Sequence, residues 1–437
     1  MKAWFQRLRR MYADTPLTAW MLGALVAVGV EWFFGADLAA ILGLGTPPSF
    51  FGLSILLDKT RFMLIPGVLL YVILVYLLPT FLVAKVVTPW ARMLEDRLPP
   101  RVYVIFSLAF LYLIMHLWSL GSDYRLLVLR LLGINIILTL SLNLVNGWMG
   151  EFSVAVAGFM AVGAYVASIL MVWGFVNDDV FGPAVFPESW APFAFPVVLI
   201  IAGAVTAVTA LLVAIPSFRT RGDYLAIITL AYLFIVKSTF ENLDFIGGPR
   251  GFMNQPKVAE QLWVVFIWVV LAIWTIRNYV TSTYGKATSA VRDNELAAEM
   301  MTVDTRKVKT IAFLTHAFWS GVAGGLYAHV LGYINPSSFG LVKSAEILGM
   351  LYLGGLNSVT GSVLGAVLFT LLSEILRPLR RAKWIVIPII LIVVMIKRPR
   401  GLLGFQELQI PFFRRRQARE RAQGPSSGPG RGQEAQA

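Results

Sequence analysis

Residues 284–310 read YGKATSAVRDNELAAEMMTVDTRKVKT, and they break the character of the chain around them. The protein has 437 residues, 57% of them hydrophobic and only 14% charged, yet nine charges fall between Tyr284 and Lys309. Long apolar runs flank this island on both sides. A charge at the centre of a membrane helix costs about 2.5–3.5 kcal/mol, so the island opposes insertion strongly and belongs in water. The runs beside it do not.

Those runs set the fold class. The mean hydropathy of +0.72 reflects more apolar surface than one water-soluble core can bury, which makes the bilayer part of the solvent. A spanning helix takes about 20 mostly apolar residues. Such stretches occur near 16–34, 62–84, 103–121, 126–147, 152–174, 194–215, 223–240, 262–280, 310–332, 345–376 (one span or two short ones) and 384–397. The expectation is an all-α, polytopic membrane protein of about 10–12 transmembrane helices. The alternating pattern of a membrane barrel is absent. The first apolar stretch follows Lys2, Arg7, Arg9 and Arg10 without a clear small-residue cleavage site, and reads as an uncleaved helix.

The chain contains no cysteine, which removes disulfides, thiolate metal sites and cysteine nucleophiles. Its histidines are His116, His316 and His329. The last two are thirteen residues apart on one predicted helix and therefore on different faces, so they read as polar residues at helix contacts, not as a metal pair. No Ser/His/Asp set or HExxH motif is present, and no enzymatic activity is expected. The net charge of +13 is concentrated in short connecting segments and at the ends, in KAWFQRLRR (2–10), FRRRQARER (413–421) and the island itself. The positive-inside rule places such segments in the cytoplasm, so the charge reports orientation and not a nucleic-acid partner. Residues 174–195 carry acids and neither Lys nor Arg, and read as external. RPLRRAK (377–383) conflicts with this scheme if 345–376 crosses twice.

Within the island, Ala287, Ala290, Val291, Ala297, Ala298 and Met301 form one stripe at helical spacing, with Arg292, Glu295 and Glu299 turned away from it. The pattern predicts a short amphipathic helix. Its small-residue face suits either a groove on a partner or the chain's own bundle. YGKATS is not a phosphate loop: Ala287 stands where Ser or Thr is required, and Val280 where the first glycine is required.

AVRDNELAAEMM (290–301) resembles the coupling loop of the permeases of ABC importers, in the form found in the branched-chain amino-acid permease family. In the same order NLVNGWMGEFS (143–153), GFMAVGAY (158–165), RTRGDYLAIITL (219–230), IGGPRGF (246–252), LYAHVLGYINPSSF (326–339), EILGMLYLGGLNSVTGSVLGA (346–366) and RPRGLLG (398–404) resemble that family. The resemblance runs from about 126 to 404, and the long N-terminal part is like that of the longer, M-type permease. It implies a permease working with a second permease subunit, cytoplasmic ATP-binding subunits and a periplasmic or extracellular binding protein, in the bacterial plasma (inner) membrane with both termini cytoplasmic. ATP would be bound by partner subunits and no cofactor by this chain. Arg292, Asp293, Glu295, Ala297, Ala298 and Glu299 would then couple to an ATPase. Branched-chain or other small amino acids lead as substrates, with urea or amides behind. A stand-alone ion-coupled carrier using Glu31, Lys237, Glu346 or Glu374, and a membrane scaffold without transport, are the alternatives.

Two departures bear on this. The family often has Met-Gly-Ile after the coupling helix, where this chain has Met301-Thr302-Val303, so the turn there lacks glycine's freedom at positive φ. Ser153-Val154-Ala155-Val156 replaces a common Ser-Leu-Gly-His, which leaves substrate identity open. Asn143, Asn146, Gly147, Gly150, Glu151 and Ser153 gather polar and flexible positions between two apolar runs, as residues lining a translocation path or as helix-packing hydrogen bonds and a turn. Gly247, Gly248, Pro249 and Gly251 form a predicted external turn, a candidate mouth for the binding protein. Arg221, Gly222 and Asp223 mark a helix start. Gly321/Gly325 and Gly361/Gly365 have GxxxG spacing for close helix packing or helix breaks. The expected organisation is an N-terminal accessory segment over 1–125, a permease core over 126–404 with the coupling loop at about 284–309, and a basic, disordered tail over 405–437.

Overall fold

The computed structural model describes residues 15–44, 48, 62–178, 180–218, 224–398 and 401–407. Among these the secondary structure is helical, apart from two isolated bridges, Asp178–Gly182 and Phe252–Ile334. Arg221, Gly222 and Asp223, and the tail beyond Glu407, lie outside the described residues. The remainder falls into two compact units.

The first unit comprises α1 (Leu17–Ile41), α2 (Ile65–Arg97) and most of α3 (Pro100–Ser119). A side chain at Gly23 would meet the Thr80 carbonyl oxygen at 2.5 Å, so α1 and α2 cross with their backbones close together. Tyr103 donates a 2.7 Å hydrogen bond to Glu95, joining the ends of α2 and α3.

The second unit, Ser119–Glu407, holds the remaining described helices. These are α4 (Asp123–Asn143), extended by a π-helical turn Leu144–Met149, then α5 (Val156–Phe175), α6 (Ala191–Ser217), α7 (Tyr224–Glu241) and α8 (Leu262–Thr281). Two short helices follow, α9 (Thr283–Asp293) and α10 (Glu295–Met300). The chain closes with α11 (Thr305–Leu331), α12 (Leu341–Gly354), α13 (Val359–Ile375) and α14 (Lys383–Lys397).

Helices α1–α8 account for eight that are long and apolar enough to cross a membrane. The protein is thus a polytopic all-α membrane protein. Helix α11, at 27 residues, is shorter only than α2 but is not among the eight, because Gly, Ser and His dilute its apolar content. It needs less: from Ala317 to Val330 nearly every residue is buried against protein, so few large aliphatic groups have to face lipid. The stretch 345–376 resolves into two short helices, α12 and α13.

Helix α11 packs against α4, α5 and α6, and glycine lets it do so. A Cβ at Gly163 of α5 would sit 2.1 Å from the Gly321 carbonyl oxygen, and one at Gly324 would sit 2.0 Å from that of Met160. In lipid the hydrophobic effect gives helices little reason to associate, so close backbone approach and the dispersion contacts it permits must hold them. Gly354 and Gly365 play the same part between α12 and α13, where the virtual Cβ atoms lie 2.1 Å from the Gly361 and Met350 carbonyls. Helix α12 then stops at Gly354, with Gly355 at φ 118°.

The ends of the bundle can be followed along α4. Its first turn meets the end of α13, where Tyr124 donates to Glu374 and the Arg377 guanidinium lies 4.6 Å from the Tyr124 ring centroid. Its other end meets α10 and α11, as described below. Residues 377–383 therefore lie at the end opposite α9 and α10, and the positive charge there runs against a simple positive-inside reading.

Gly163→Ala should lower the thermal midpoint in detergent by several degrees, since overpacking of this kind costs about 1–3 kcal/mol. Gly174→Ala, on the same helix with nothing within 4 Å of the added methyl group, should leave it unchanged or raise it slightly.

Candidate functional site

The charged island folds as two short helices because three side chains cap the helix starts. Ser282 accepts from the Gly285 amide (3.3 Å), Asn294 from Ala297 (3.0 Å) and Asp304 from Lys307 (3.0 Å). Each satisfies an otherwise orphaned donor. Asn294, in an extended conformation, separates α9 from α10. After α10 the chain turns through Thr302 at φ 62°. This threonine thus adopts a backbone conformation that a β-branched side chain rarely takes.

Half of the predicted small-residue stripe faces the chain itself. Val291 and Ala298 are buried with Val308 against Ala287 and Val303. The other half is outward: Ala290 and Ala297 are exposed, and Met301, at 76%, joins Leu296 and Met300, at 63% and 84%, as an exposed apolar group. Leu296 and Met300 are four apart and share a helix face. Asp293, Ala297 and Glu299 are exposed around them, and Glu299 also accepts from the Thr305 hydroxyl (3.1 Å).

Arg292 and Glu295 point inward and key the helices to the core. Arg292 donates from Nε and Nη2 to one Asp293 oxygen (2.9 and 2.7 Å) and lies 5.5 Å from the Phe405 ring centroid. Its side chain crosses Gly150, where a Cβ would stand 2.3 Å from the Arg292 Cγ. Gly150 also has φ 77°, so both conformation and space require glycine there. Lys309, in the second turn of α11, donates to Glu295 Oε2 (3.0 Å) and to Glu151 Oε1 (2.9 Å) with its own side chain only 12% exposed. Burial alone would lower the Lys309 pKa; the two carboxylates outweigh it, and the pKa stands above the ordinary value.

Two sets of residues read separately in the sequence thus meet. Gly150 lies against Arg292 of α9, and Glu151 shares the Lys309 ammonium of α11 with Glu295 of α10. Asn143 is engaged on both sides, donating to the Ser358 carbonyl (3.1 Å) and Ser362 Oγ (2.7 Å) and accepting from the Asn357 amide (3.1 Å). These are helix-packing bonds of a fully buried side chain. Asn146 Oδ1 accepts from the Ser153 amide (3.2 Å), closing the turn after the π-helical segment. Gly147 lies against Asn143, whose side chain would clash with any Cβ there.

Phe405 and Glu407 belong here as well, although the sequence assigns them to a disordered tail. Leu402, Leu403 and Phe405 donate backbone bonds to Leu353, Gly354 and Leu356 (2.9–3.1 Å). Glu407 accepts from the Val359 and Thr360 amides (2.6 and 3.1 Å), capping α13. The tail expected from 405 onward is ordered through Glu407 because those carboxylate bonds and the Phe405–Arg292 contact hold it.

At the far end of α11, Gly247, Gly248, Pro249 and Gly251 form a tight turn with positive φ at all three glycines. It is pinned by Tyr333 donating to the Arg250 carbonyl (2.8 Å), Asn335 donating to that of Pro249 (3.1 Å), and the Phe252–Ile334 bridge. Nearby residues 175–177 and 184–188 line an open cleft of about 530 Å³. Among the described residues no three His, Asp or Glu side chains are placed to hold a metal. His316 reaches Ser320 (3.3 Å) and His329 donates to the Gly325 carbonyl (2.8 Å), each within its own helix. Lys237, Glu346 and Glu374 pair with different neighbours, Glu241, Lys343 and Tyr124.

Residues 124–396, more than half of the chain, match the family model described as the branched-chain amino acid transport system permease component. The chain belongs to this permease family. It is 30% identical over 311 residues to the high-affinity branched-chain amino acid transport system permease protein LivM of Escherichia coli K12, covering 63% of this chain and 69% of that protein. It is 24% identical over 175 residues to the permease protein LivH of Salmonella typhimurium, covering 39% and 56%. It is 27% identical over 127 residues to the autoinducer 2 import system permease protein LsrC of Yersinia pseudotuberculosis, covering 28% and 35%. No solved structure matches. The protein is accordingly a multi-pass permease of the ABC importer family.

In this permease Thr302→Gly should relieve strain of about 1–3 kcal/mol, offset in part by glycine's greater unfolded-state entropy. A net gain of a few degrees in thermal midpoint is expected. The Lys309 pair makes a separate prediction. With a raised folded-state pKa, its stabilisation is complete below the unfolded value of about 10.4 and is lost as pH rises through the folded value. The difference in melting temperature between wild type and Lys309→Met should therefore stay constant from about pH 6 to 9 and shrink only in stronger alkali.

Proposed function

We infer that this chain is one permease subunit of an ATP-driven, binding-protein-dependent importer for branched-chain or other small amino acids in the bacterial plasma membrane. The observation that carries this reading is the two-sided construction of α9 and α10. Val291, Arg292, Glu295 and Ala298 lock inward onto α11 and the residues after α4, while Leu296, Met300 and Met301 are left in water with Asp293, Ala297 and Glu299 around them. A free apolar patch rimmed by charges is the makeup of a docking surface. A part that is rigidly attached behind and sticky in front suits the transmission of force, because a push on the patch moves the helices instead of being absorbed locally.

The partner on that face is a cytoplasmic ATP-binding subunit, which leaves nucleotide chemistry to another chain. This matches a sequence without a phosphate loop. The opposite end, with the pinned turn at Gly247–Gly251, faces the substrate-binding protein. The names LivM and LivH attach two permease proteins to one kind of transport system, which supports a second permease subunit beside this one. The substrate assignment rests on the names of the relatives and the family.

Leu296→Asp together with Met300→Asp should abolish co-purification of the ATP-binding subunits and reduce labelled leucine uptake at least tenfold, with the permease still inserted in the membrane. Unchanged uptake would remove the docking role. Competition of the same uptake by isoleucine and valine, and not by urea or acetamide, would fix the substrate class.

A further inference from the structure

Lys309 is the point where three separate pieces of the chain meet. It belongs to α11, its ammonium is shared between Glu295 of α10 and Glu151 beyond the end of α4, and both bonds are about 3 Å long. Movement of α10 along its own direction must pull on this ammonium or break the pair, because α10 is too short to bend and its other inward residue, Ala298, is packed against Val308 of the same α11.

What lies behind Glu151 makes the contact more than a surface pair. Its backbone amide donates to the Val145 carbonyl (3.2 Å), across the π-helical turn Leu144–Met149. A π turn carries one residue more than an α turn and can change register when pulled, and such turns gather at functional sites. The Asn146 side chain in this turn interacts with the Tyr352 hydroxyl, while its oxygen accepts from the Ser153 amide. One turn earlier, Asn143 holds the start of α13 through Ser358, Ser362 and the Asn357 amide. A continuous series of polar contacts runs from α10 through Lys309 and Glu151 to the π turn, and from Asn143 to α13.

We propose that Lys309 is the positioning residue that passes displacement of α10 to the π-helical end of α4, so that the Glu295–Lys309–Glu151 bridge couples ATP use to substrate movement. This rests on the reading of the chain as an ATP-driven permease. Both bonds are needed: the one to Glu295 takes up the displacement and the one to Glu151 delivers it. The outward patch of Leu296, Met300 and Met301 plays no part in the bridge, so docking and transmission are separable.

The test uses the complete importer, purified with its ATP-binding subunits and reconstituted in proteoliposomes with the binding protein, with uptake and ATP hydrolysis measured in one preparation. If the wild-type assembly shows no substrate-dependent hydrolysis, the importer reading itself fails. Given that activity, Lys309→Met should still assemble and hydrolyse ATP, with uptake per ATP reduced at least tenfold. Lys309→Arg, which can span both carboxylates, should retain most of the wild-type ratio. Should Lys309→Met fail to assemble, Glu151→Leu, which removes the acceptor on that side and leaves the Lys309–Glu295 bond in place, should give the uncoupled behaviour. A wild-type ratio of uptake to hydrolysis in Lys309→Met or in Glu151→Leu overturns the proposal. Loss of assembly in both variants also overturns it, since the bridge would then be structural only.

Discussion

Backbone contact between α5 and α11 is the constraint on which the second unit depends. With Gly163 against Gly321 and Gly324 against Met160, the two helices are too close for any side chain to come between them, and the register of one on the other is fixed to within a fraction of a turn. Helix α11 carries a charged anchor at one end, Lys309, and the Tyr333–Asn335 clamp just beyond the other. Setting the position of this rod therefore sets the position of both ends of the permease relative to each other. A looser, leucine-packed contact would allow sliding, and motion applied at Lys309 would dissipate before reaching the far turn.

Helix α10 departs from the usual arrangement of a surface helix, in which charges face water and large apolar groups face protein. Here the large apolar groups Leu296 and Met300 face out, while Arg292 and Glu295 face in toward Gly150 and Lys309. The inward face can be charged because every charge there has a partner at hydrogen-bonding distance. It can be close because Gly150 and Ala298 remove bulk where the helices approach. The outward face is costly for a free subunit in water, and that cost disappears when a partner covers it. Strain at Thr302 adds to the picture of a segment held in place by its surroundings.

The fold class was legible in the sequence because bilayer thickness and hydrophobic run length are tied by simple geometry, and α1–α8 follow from that alone. The island at 284–309 was equally legible, since nine charges have few places to go. Its face was not. Small residues at helical spacing mark close approach, but periodicity does not say whether the approaching surface belongs to a partner or to the same chain, and here Val308 supplies it. Lys309 was counted only as one of several cytoplasmic positives, because its two carboxylate partners lie 158 and 14 residues away in sequence. A lysine one residue short of an apolar span, with Glu151 and Glu295 otherwise unmatched, was the available signal. Phe405 and Glu407 were lost to the tail because a glycine-rich, basic neighbourhood looks disordered until the Val359 and Thr360 amides are seen to need an acceptor.

The basic turn at 377–383 shows where an orientation rule based on charge meets packing. Four cations, Arg377, Arg380, Arg381 and Lys383, lie at the end of the bundle opposite α9 and α10, which with the first turns of α11 carry Lys286, Arg292, Arg306, Lys307 and Lys309. A rule summed over loops would prefer both groups on one side of the bilayer. That would require α13 to turn back short of the far end. Glu407 and Asn143 fix the start of α13 at the end that holds α9 and α10, and Glu374 and Arg377 fix its finish on Tyr124, so the helix runs the full distance between them. Arg377 is partly neutralised by Glu374 at 3.8 Å, and the exposed guanidinium groups of Arg380 and Arg381 keep their contact with water. The charge bias acts on the orientation of the whole chain, whereas the hydrogen bonds at both ends of α13 act on one helix, and locally they prevail.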